Sequence, residues 1–362
     1  MTTAHIDLDA FRRNTTMLAA RVAPAELMVM VKANAYGHGL LPIARAAVDG
    51  GVRLLGVLDA ESGLALRADG IGGQVRLFAW LFGPQEDYRS IIDADIDLGI
   101  SHLHQLERIA ASGSGVAARL HLKIDTGLHR NGASEEEWPL LIARALELQF
   151  AGIVEIVGAW THISEASDDD DSDAIARFER AITVAEAIGA RFAMRHLAAS
   201  AAGFAREDAR FDVVRVGAFA YGIAPGGGIG PSDMGIEPVM TLTAPVASVR
   251  EHEGRTLARV AIGFADGLPG HAGGRGELAI RGRRHPIVGA VGAFGIDADV
   301  TGHPISAGDV AVLFGPGGSA EPSLQEWADA LGTIGEELVV RVPPEVRREY
   351  TGRAPGAARG RA

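Results

Sequence analysis

The chain has 362 residues, 47% of them hydrophobic and 22% charged, a mix that suits a globular enzyme of roughly two domains. A formal net charge of -12 argues against nucleic acid as the main partner, because a phosphate backbone needs clustered Lys and Arg. With no cysteine, disulfides and thiolate metal sites are excluded.

The N-terminus has no basic region followed by an apolar run and passes directly into Ile6-Asp7-Leu8-Asp9. No signal peptide and no bilayer span are expected, and the expected location is cytoplasmic. Leu27-Met28-Val29-Met30-Val31 is a continuous apolar run of strand length, and residues 42–48 carry helical spacing. Residues 54–58 give a second strand, followed by a helix over 59–67. Runs at 75–80, 96–100, 118–124, 153–160 and 213–216 continue the series. Strands apolar on both faces, each followed by a helix, imply a parallel sheet covered by helices. About eight such units in roughly 225 residues predict a closed (β/α)8 barrel, with a doubly wound open sheet as the alternative. In either, ligand chemistry belongs at the C-terminal ends of the strands.

Asp168 to Asp171 and Asp173 form an acidic cluster. Consecutive aspartates point in different directions, so the cluster reads as the solvated N-terminus of a helix over 174–187, and no metal is expected. Gly226-Gly227-Gly228-Ile229-Gly230-Pro231 reads as a linker. Beyond it the texture turns β-like: residues 240–244 and 246–249 alternate, 251–254 form a turn, and 257–262 answer it. Short strands at 287–288 and 310–314 follow, with one helix near 323–331. The expected organisation is an α/β barrel over 1–230, a mainly-β domain over 231–350 and a disordered tail over 351–362.

Lys32 directly follows the first apolar run, within Val31-Lys32-Ala33-Asn34-Ala35-Tyr36-Gly37-His38-Gly39. Charged residues are rarely buried without a partner or purpose. At the C-terminal end of a barrel strand a lysine faces the active-site mouth, where an amine can form a Schiff base. A lysine snorkelling to solvent is the bland alternative. Gly37 and Gly39, just after Tyr36, suggest a loop packed closely on a ligand.

The run 31–39 resembles the pyridoxal-phosphate attachment motif of alanine racemases almost residue for residue. Further matches follow in order: Leu122-Lys123-Ile124-Asp125-Thr126-Gly127-Leu128-His129-Arg130, Ala159-Trp160-Thr161-His162, His196-Leu197-Ala198-Ala199-Ser200, Val213-Val214-Arg215-Val216-Gly217 and Ala220-Tyr221-Gly222. Leu331-Gly332-Thr333-Ile334 and Arg341-Val342-Pro343 extend the likeness over residues 5–350. The resemblance implies a (β/α)8 barrel carrying pyridoxal 5'-phosphate, a C-terminal β domain, and a head-to-tail homodimer whose active sites draw on both chains. It also implies a small amino acid as substrate.

Residue by residue, it implies Lys32 as the cofactor lysine and as an acid/base at the substrate Cα. Tyr36 and Ser200 would bind the cofactor phosphate, with the backbone N–H groups of Gly217 and Ala218 as further donors and Tyr221 beside them. Arg215 would face the pyridine nitrogen and keep it unprotonated, with His162 behind it. Arg130 would contact the phenol oxygen and the substrate carboxylate. Lys123 matches a lysine that is often carboxylated to orient that arginine. Read without the resemblance, Ser200 is a helix cap, Arg215 an ion pair, His162 a core histidine and Lys123 a solvent-facing strand lysine.

The pattern breaks in three places. The family's Gly-Tyr-Ala-Asp-Gly is Gly263-Phe264-Ala265-Asp266-Gly267, so the tyrosine that removes the α-proton from the L-enantiomer is Phe264. The Met-Asp pair at the substrate carboxylate becomes Ala293-Phe294. The late phosphate-binding tyrosine becomes Glu336, and a carboxylate beside a phosphate would be repelled, so that loop is expected to point elsewhere. Three readings follow: a racemase with a replacement acid/base (His162, His271 or a bound water), a one-base pyridoxal-phosphate enzyme, or a non-catalytic binder.

Overall fold

The computed structural model describes residues 1–318 and 320–352. Two compact units emerge: one holds residues 15–32 and 50–217, the other residues 1–14, 33–49 and the described residues from 218 onward. This division differs from a single cut at 230, because the chain's first strand belongs to the later sheet. In chain order the strands are β1 (Thr3–Asp7), β2 (Glu26–Met30), β3 (Leu54–Asp59), β4 (Arg76–Leu81), β5 (Ile96–Ile100), β6 (Ala118–Lys123), β7 (Val154–Trp160), β8 (Met194–His196) and β9 (Val213–Val216). Then come β10 (Met240–His252), β11 (Arg255–Val260), β12 (Glu277–Ile280), β13 (Arg283–Val288), β14 (Ile296–Asp299), β15 (Val310–Phe314) and β16 (Arg347–Thr351).

Strands β2 to β9 form one parallel sheet in the order β8-β7-β6-β5-β4-β3-β2-β9. Its two ends meet through Asp212 N–H donating to Arg195 O at 3.0 Å and Arg215 N–H to Ala198 O at 3.2 Å, which brings the sheet round into the (β/α)8 barrel. Seven strands arise from the apolar runs. The exception is β8, whose Met-Arg-His sequence carries no apolar pattern and is placed by pairing with β7. The helix Asp168–Ile188 starts earlier than 174, because Ser167 caps it by accepting the Asp170 N–H at 3.1 Å. The aspartates thus fill its first turn, where negative charge offsets the helix dipole.

The barrel interior is filled by rings. Phe78 lies 4.8 Å from the His121 ring and 5.1 Å from Trp160, and Trp80 packs edge-on to Trp160 at 5.9 Å. Glycines in the strands make room for them. A Cβ at Gly99 would stand 2.6 Å from Trp80 Cβ, and one at Gly158 would stand 2.3 Å from His121 Nδ1.

In the other unit the strand order is β11-β14-β13-β12-β15-β10-β1-β16, and the long β10 also pairs with β11, closing part of this antiparallel sheet on itself. β1 pairs antiparallel with β10 and parallel with β16. The helix near 323–331 is Leu324–Leu331, fixed by a capping box in which Ser323 Oγ accepts the Glu326 N–H and Glu326 Oε2 accepts the Ser323 N–H at 2.7 Å. It is not the only helix there. Gly335–Val340 forms a second, after turn residues that mask its start, and Pro231–Met234 a third within the linker region. Of the tail, Thr351 ends β16, and 353–362 lie outside the described residues. Among the described residues no helix is long and apolar enough to cross a membrane.

Gly158→Ala should lower stability by about 1–3 kcal/mol, because the methyl group meets both the His121 ring and the Met194 carbonyl. Gly115→Ala, in open space, should change it by less than about 0.5 kcal/mol. Urea unfolding of the two variants beside the parent checks the contrast, and equal midpoints would refute the steric account.

Candidate active site

The chain leaves β2 at Met30, and Val31 N–H still donates to Gly56 O at 2.9 Å. After Lys32, residues Ala33, Asn34, Ala35 and Tyr36 all take φ between 51° and 54°. A left-handed turn of four L-residues costs roughly 1–2 kcal/mol per residue. It is closed by Gly37 N–H to Ala33 O and Gly39 N–H to Asn34 O, both 2.9 Å, and by Asn34 Oδ1 accepting the Leu40 N–H at 2.8 Å. Arg348 Nε donates to Gly37 O at 2.7 Å, and the Tyr350 hydroxyl to His38 O at 3.1 Å. Gly37 has φ +76°, and a Cβ there would stand 2.2 Å from Val339 O.

Lys123 ends β6 and Arg215 is the penultimate residue of β9, while Lys32, His162, Ser200 and Gly217 follow β2, β7, β8 and β9, all on the face where this architecture builds its sites. Arg215 is buried, and its hydrogen bonds define its role. Nη1 donates to His196 Nδ1 at 2.9 Å; Nη2 reaches Thr161 O at 2.8 Å, Leu197 O at 2.9 Å and His162 Nδ1 at 3.0 Å. None of these acceptors is a carboxylate, so Arg215 is not the strand-end ion pair that the bland reading allowed. Burial, only partly offset by the more distant Glu165, lowers its pKa to about 9. Trp160 lies beneath: its ring is 5.4 Å from the Arg215 guanidinium carbon, 4.7 Å from Lys123 Nζ and stacked on His196 at 5.7 Å.

Lys123 is buried rather than solvent-facing. Burial, then the charges of Arg215 and Arg130, lowers its pKa to about 7, and its amine donates to Asn131 Oδ1. His162 is lowered to about 2 by burial and then by Arg215, Arg130, Lys123 and Lys32. Its Nδ1 lone pair is engaged by Arg215, which disfavours His162 as a replacement base. Arg130 is exposed, in a loop ordered by Asp125 Oδ1, which accepts the N–H groups of Gly127 and His129. Ser200 Oγ accepts the Gly217 N–H at 3.0 Å. That N–H is therefore engaged by the protein, whereas the Ser200 hydroxyl keeps its own hydrogen to donate.

In the other unit, Tyr36 and Tyr221 bring their rings to 4.9 Å, and His38 Nδ1–H donates to Tyr36 O at 2.8 Å. Burial, with Glu336 adding, pushes the Tyr36 phenol well up. Glu336 lies in the first turn of the helix Gly335–Val340, within range for its charge to act on this tyrosine. Ala218 opens the turn Ala218–Tyr221, whose first N–H groups have no partner within the turn. Phe264 is 57% exposed and starts a similar turn, Phe264–Asp266. Its N–H donates to Gly292 O and that of Ala265 to Ala293 O, both 3.0 Å, so positions 264 and 293 lie on adjoining loops. His271 sits exposed in the turn Gly270–Ala272.

The donor set in the barrel fits pyridoxal phosphate. Lys32 follows β2 at the mouth, the Ser200 hydroxyl is available to a phosphate, and Arg215 Nε–H has no acceptor among the described residues, as an aromatic nitrogen acceptor requires. Sequence reading quoted Trp160 and His196 within motifs but gave them no role. An aromatic ring and an imidazole at neighbouring strand ends were the available signal.

Residues 6–225 match the family model for the alanine racemase N-terminal domain, and 239–350 the model for its C-terminal domain. The chain is 41% identical to the alanine racemase of Frankia casuarinae over 96% of its own length and 95% of that protein. It is 39% identical to that of Thermobifida fusca, over 96% and 98%. Among solved structures, alanine racemase from D-cycloserine-producing Streptomyces lavendulae superposes with a TM-score of 0.93 at 35% identity, covering 97% of each chain. That from Streptomyces coelicolor A3(2) gives 0.93 at 36%, covering 97% of this chain and 98% of the other. Enzymes of this family are isomerases that use pyridoxal 5'-phosphate. By fold and sequence alike, the chain belongs to the alanine racemase family.

Proposed function

We propose that this protein is a pyridoxal-phosphate-dependent racemase of alanine or a related small amino acid, in which the side chain at 264 does not serve as the second base. The observation that carries the reading is Arg215, a buried guanidinium that among the described residues has no carboxylate acceptor and no partner for its Nε–H. When bound, pyridoxal phosphate acidifies the α-proton of an amino acid by spreading carbanion charge into its conjugated system. Lys32 holds and moves that proton on one face. Arg215 would donate to the ring nitrogen and so keep it unprotonated. The resemblance assigns the hydroxyls of Ser200 and Tyr36 and the N–H of Ala218 to the phosphate, which they would hold when it is bound, with Tyr221 packed on Tyr36, and assigns Arg130 and Ala293 to the substrate. A head-to-tail homodimer with active sites drawn from both chains, and a cytoplasmic location, belong to the same reading.

Racemisation removes a proton from one face and delivers one to the other. Phe264 has no ionisable hydrogen, and the His162 lone pair is engaged by Arg215. His271 and a bound water remain as the second acid/base. Phe264 favours one further reading, proton exchange on a single face with retention of configuration.

L- and D-alanine, then L- and D-serine, incubated in deuterated water with cofactor-loaded protein separate these. A racemase puts deuterium at Cα with inversion from both enantiomers; exchange into one enantiomer without inversion assigns single-face chemistry, and no exchange refutes both. Lys32→Ala should abolish the visible absorption band of the bound cofactor, and a retained band would refute the lysine assignment.

Phe264→Tyr should raise alanine racemisation by about 100-fold or more, the usual scale of a placed general acid/base. No gain in chiral assays would move the cause to Ala293, Phe294 or Glu336.

Lys123, with a pKa of about 7, is partly neutral at physiological pH and gains neutral amine as pH rises. A neutral amine bonds to the carbon of CO2 and releases one proton, so Lys123 should form a carbamate. A carbamate resonance grown from 13C-bicarbonate and absent in Lys123→Met checks this; its persistence in that variant would refute the site.

A further inference from the structure

Arg215 is the upper end of a line of hydrogen bonds that crosses the barrel interior. Its Nη1 donates to His196 Nδ1 at 2.9 Å. The other nitrogen of that ring, Nε2, lies 2.9 Å from His121 Nδ1. The far nitrogen of His121, Nε2, lies 3.2 Å from Asp97 Oδ2. Both imidazoles and the carboxylate are buried, each 0–1% exposed. Asp97 is the second residue of β5, near the N-terminal floor of the barrel, where Arg76 Nε donates to its Oδ2 at 2.9 Å and Arg119 Nε to its Oδ1 at 2.6 Å.

The two ends fix every proton between them. A guanidinium only donates, so His196 Nδ1 must accept and its single proton sits on Nε2. That proton points at His121 Nδ1, which must therefore accept, placing the His121 proton on Nε2. From there it points at Asp97, which as a carboxylate only accepts. Read from Asp97 upward, the assignment is the same. A second proton on either ring would set two donors face to face. Burial would raise the Asp97 pKa, but the His121 hydrogen bond and then the charges of Arg119 and Arg76 outweigh it and hold the carboxyl below its ordinary value. Burial, with Arg215 and His121 behind it, lowers His196 well below the ordinary histidine range, so its ring is neutral.

We infer that Asp97, His121 and His196 form a positioning relay that presents Arg215 to the cofactor: the carboxylate at the floor sets the tautomers of two neutral imidazoles so that an acceptor, never a donor, meets the guanidinium. Asp97 and His121 thus act on the ring-nitrogen contact from the opposite end of the barrel without touching cofactor or substrate. A carboxylate in direct contact would neutralise Arg215 and draw it away; an imidazole acceptor aims it and leaves its charge. The inference rests on the proposed cofactor role of Arg215 only for its consequence, since the tautomers are a property of the protein itself.

The test uses full-length protein labelled with 15N at histidine, with and without pyridoxal phosphate. Long-range 1H–15N spectra should show His121 and His196 as neutral Nε2–H tautomers in both states. An Nδ1–H tautomer, or an imidazolium, at either residue overturns the relay whether or not the cofactor binds. His121→Phe removes the middle acceptor. It should leave the His196 Nε2–H without its acceptor, shift that ring's 1H–15N resonances, and weaken pyridoxal phosphate binding by about tenfold, the scale of one buried hydrogen bond left unmade, with a shifted absorption maximum. His121→Gln, whose amide can donate to Asp97 and accept from His196, should restore both readouts. If the parent binds no pyridoxal phosphate, the cofactor reading falls and the tautomer result stands alone. If His121→Phe folds, binds as the parent does and keeps the absorption maximum, the positioning role is refuted.

Discussion

A guanidinium held in the barrel interior without a contacting carboxylate is the constraint on which the rest depends. A buried cation is expensive unless its hydrogens are met, and removing one partner of a buried charge typically costs about 3–5 kcal/mol. Arg215 is met by two carbonyls, two imidazoles and the face of Trp160. Each of those partners needs space in a barrel that side chains must otherwise fill. The glycines at 99 and 158 give that space, one beside the tryptophans and the other beside His121. The small residues in these strands, the ring cluster and the arginine are therefore one solution to one packing problem.

The same logic extends to the turn after β2. Four successive left-handed L-residues do not form for local reasons. They persist because Arg348 and Tyr350 bind the carbonyls of Gly37 and His38, and because Gly37 lets the Val339 carbonyl approach. The residues that hold the turn come from the last strand and the segment before it, some 300 positions away in sequence, so formation of the turn waits on the folding of that sheet.

Much of this was legible in the residues. Continuous apolar runs betrayed seven of the eight barrel strands, because burial on both faces leaves no polar alternation. β8 was not legible, since three residues placed by their neighbour carry no period. β1 was missed as a member of the later sheet, because strand pairing between residues 3–7 and 347–351 leaves no local trace. Lys32, Ser200 and Arg215 could be found from motifs. The relay from Asp97 could not, because its members lie on four strands and meet only when the sheet closes. Lys123 was ambiguous in sequence for a related reason: its burial comes from Trp160 on the adjacent strand and Asn131 on a loop.

The departures from the family pattern differ in kind from the residues proposed to hold the cofactor. The donors assigned to the cofactor are intact, from Lys32 through Ser200 to Arg215. What differs lies at Phe264, at the neighbouring loop with Ala293 and Phe294, and at Glu336, whose charge acts on Tyr36. The backbone at 264 is fixed independently of its side chain, since the N–H groups of Phe264 and Ala265 are both held by carbonyls of the adjoining loop. The turn Phe264–Asp266 is closed further by Asp266 Oδ2 accepting the Gly263 N–H at 2.9 Å. A tyrosine in that place would meet the same loop in the same conformation. On the resemblance to the family's Gly-Tyr-Ala-Asp-Gly motif, the proposed difference in chemistry at that position is one phenolic oxygen, and the backbone of the turn is held without it.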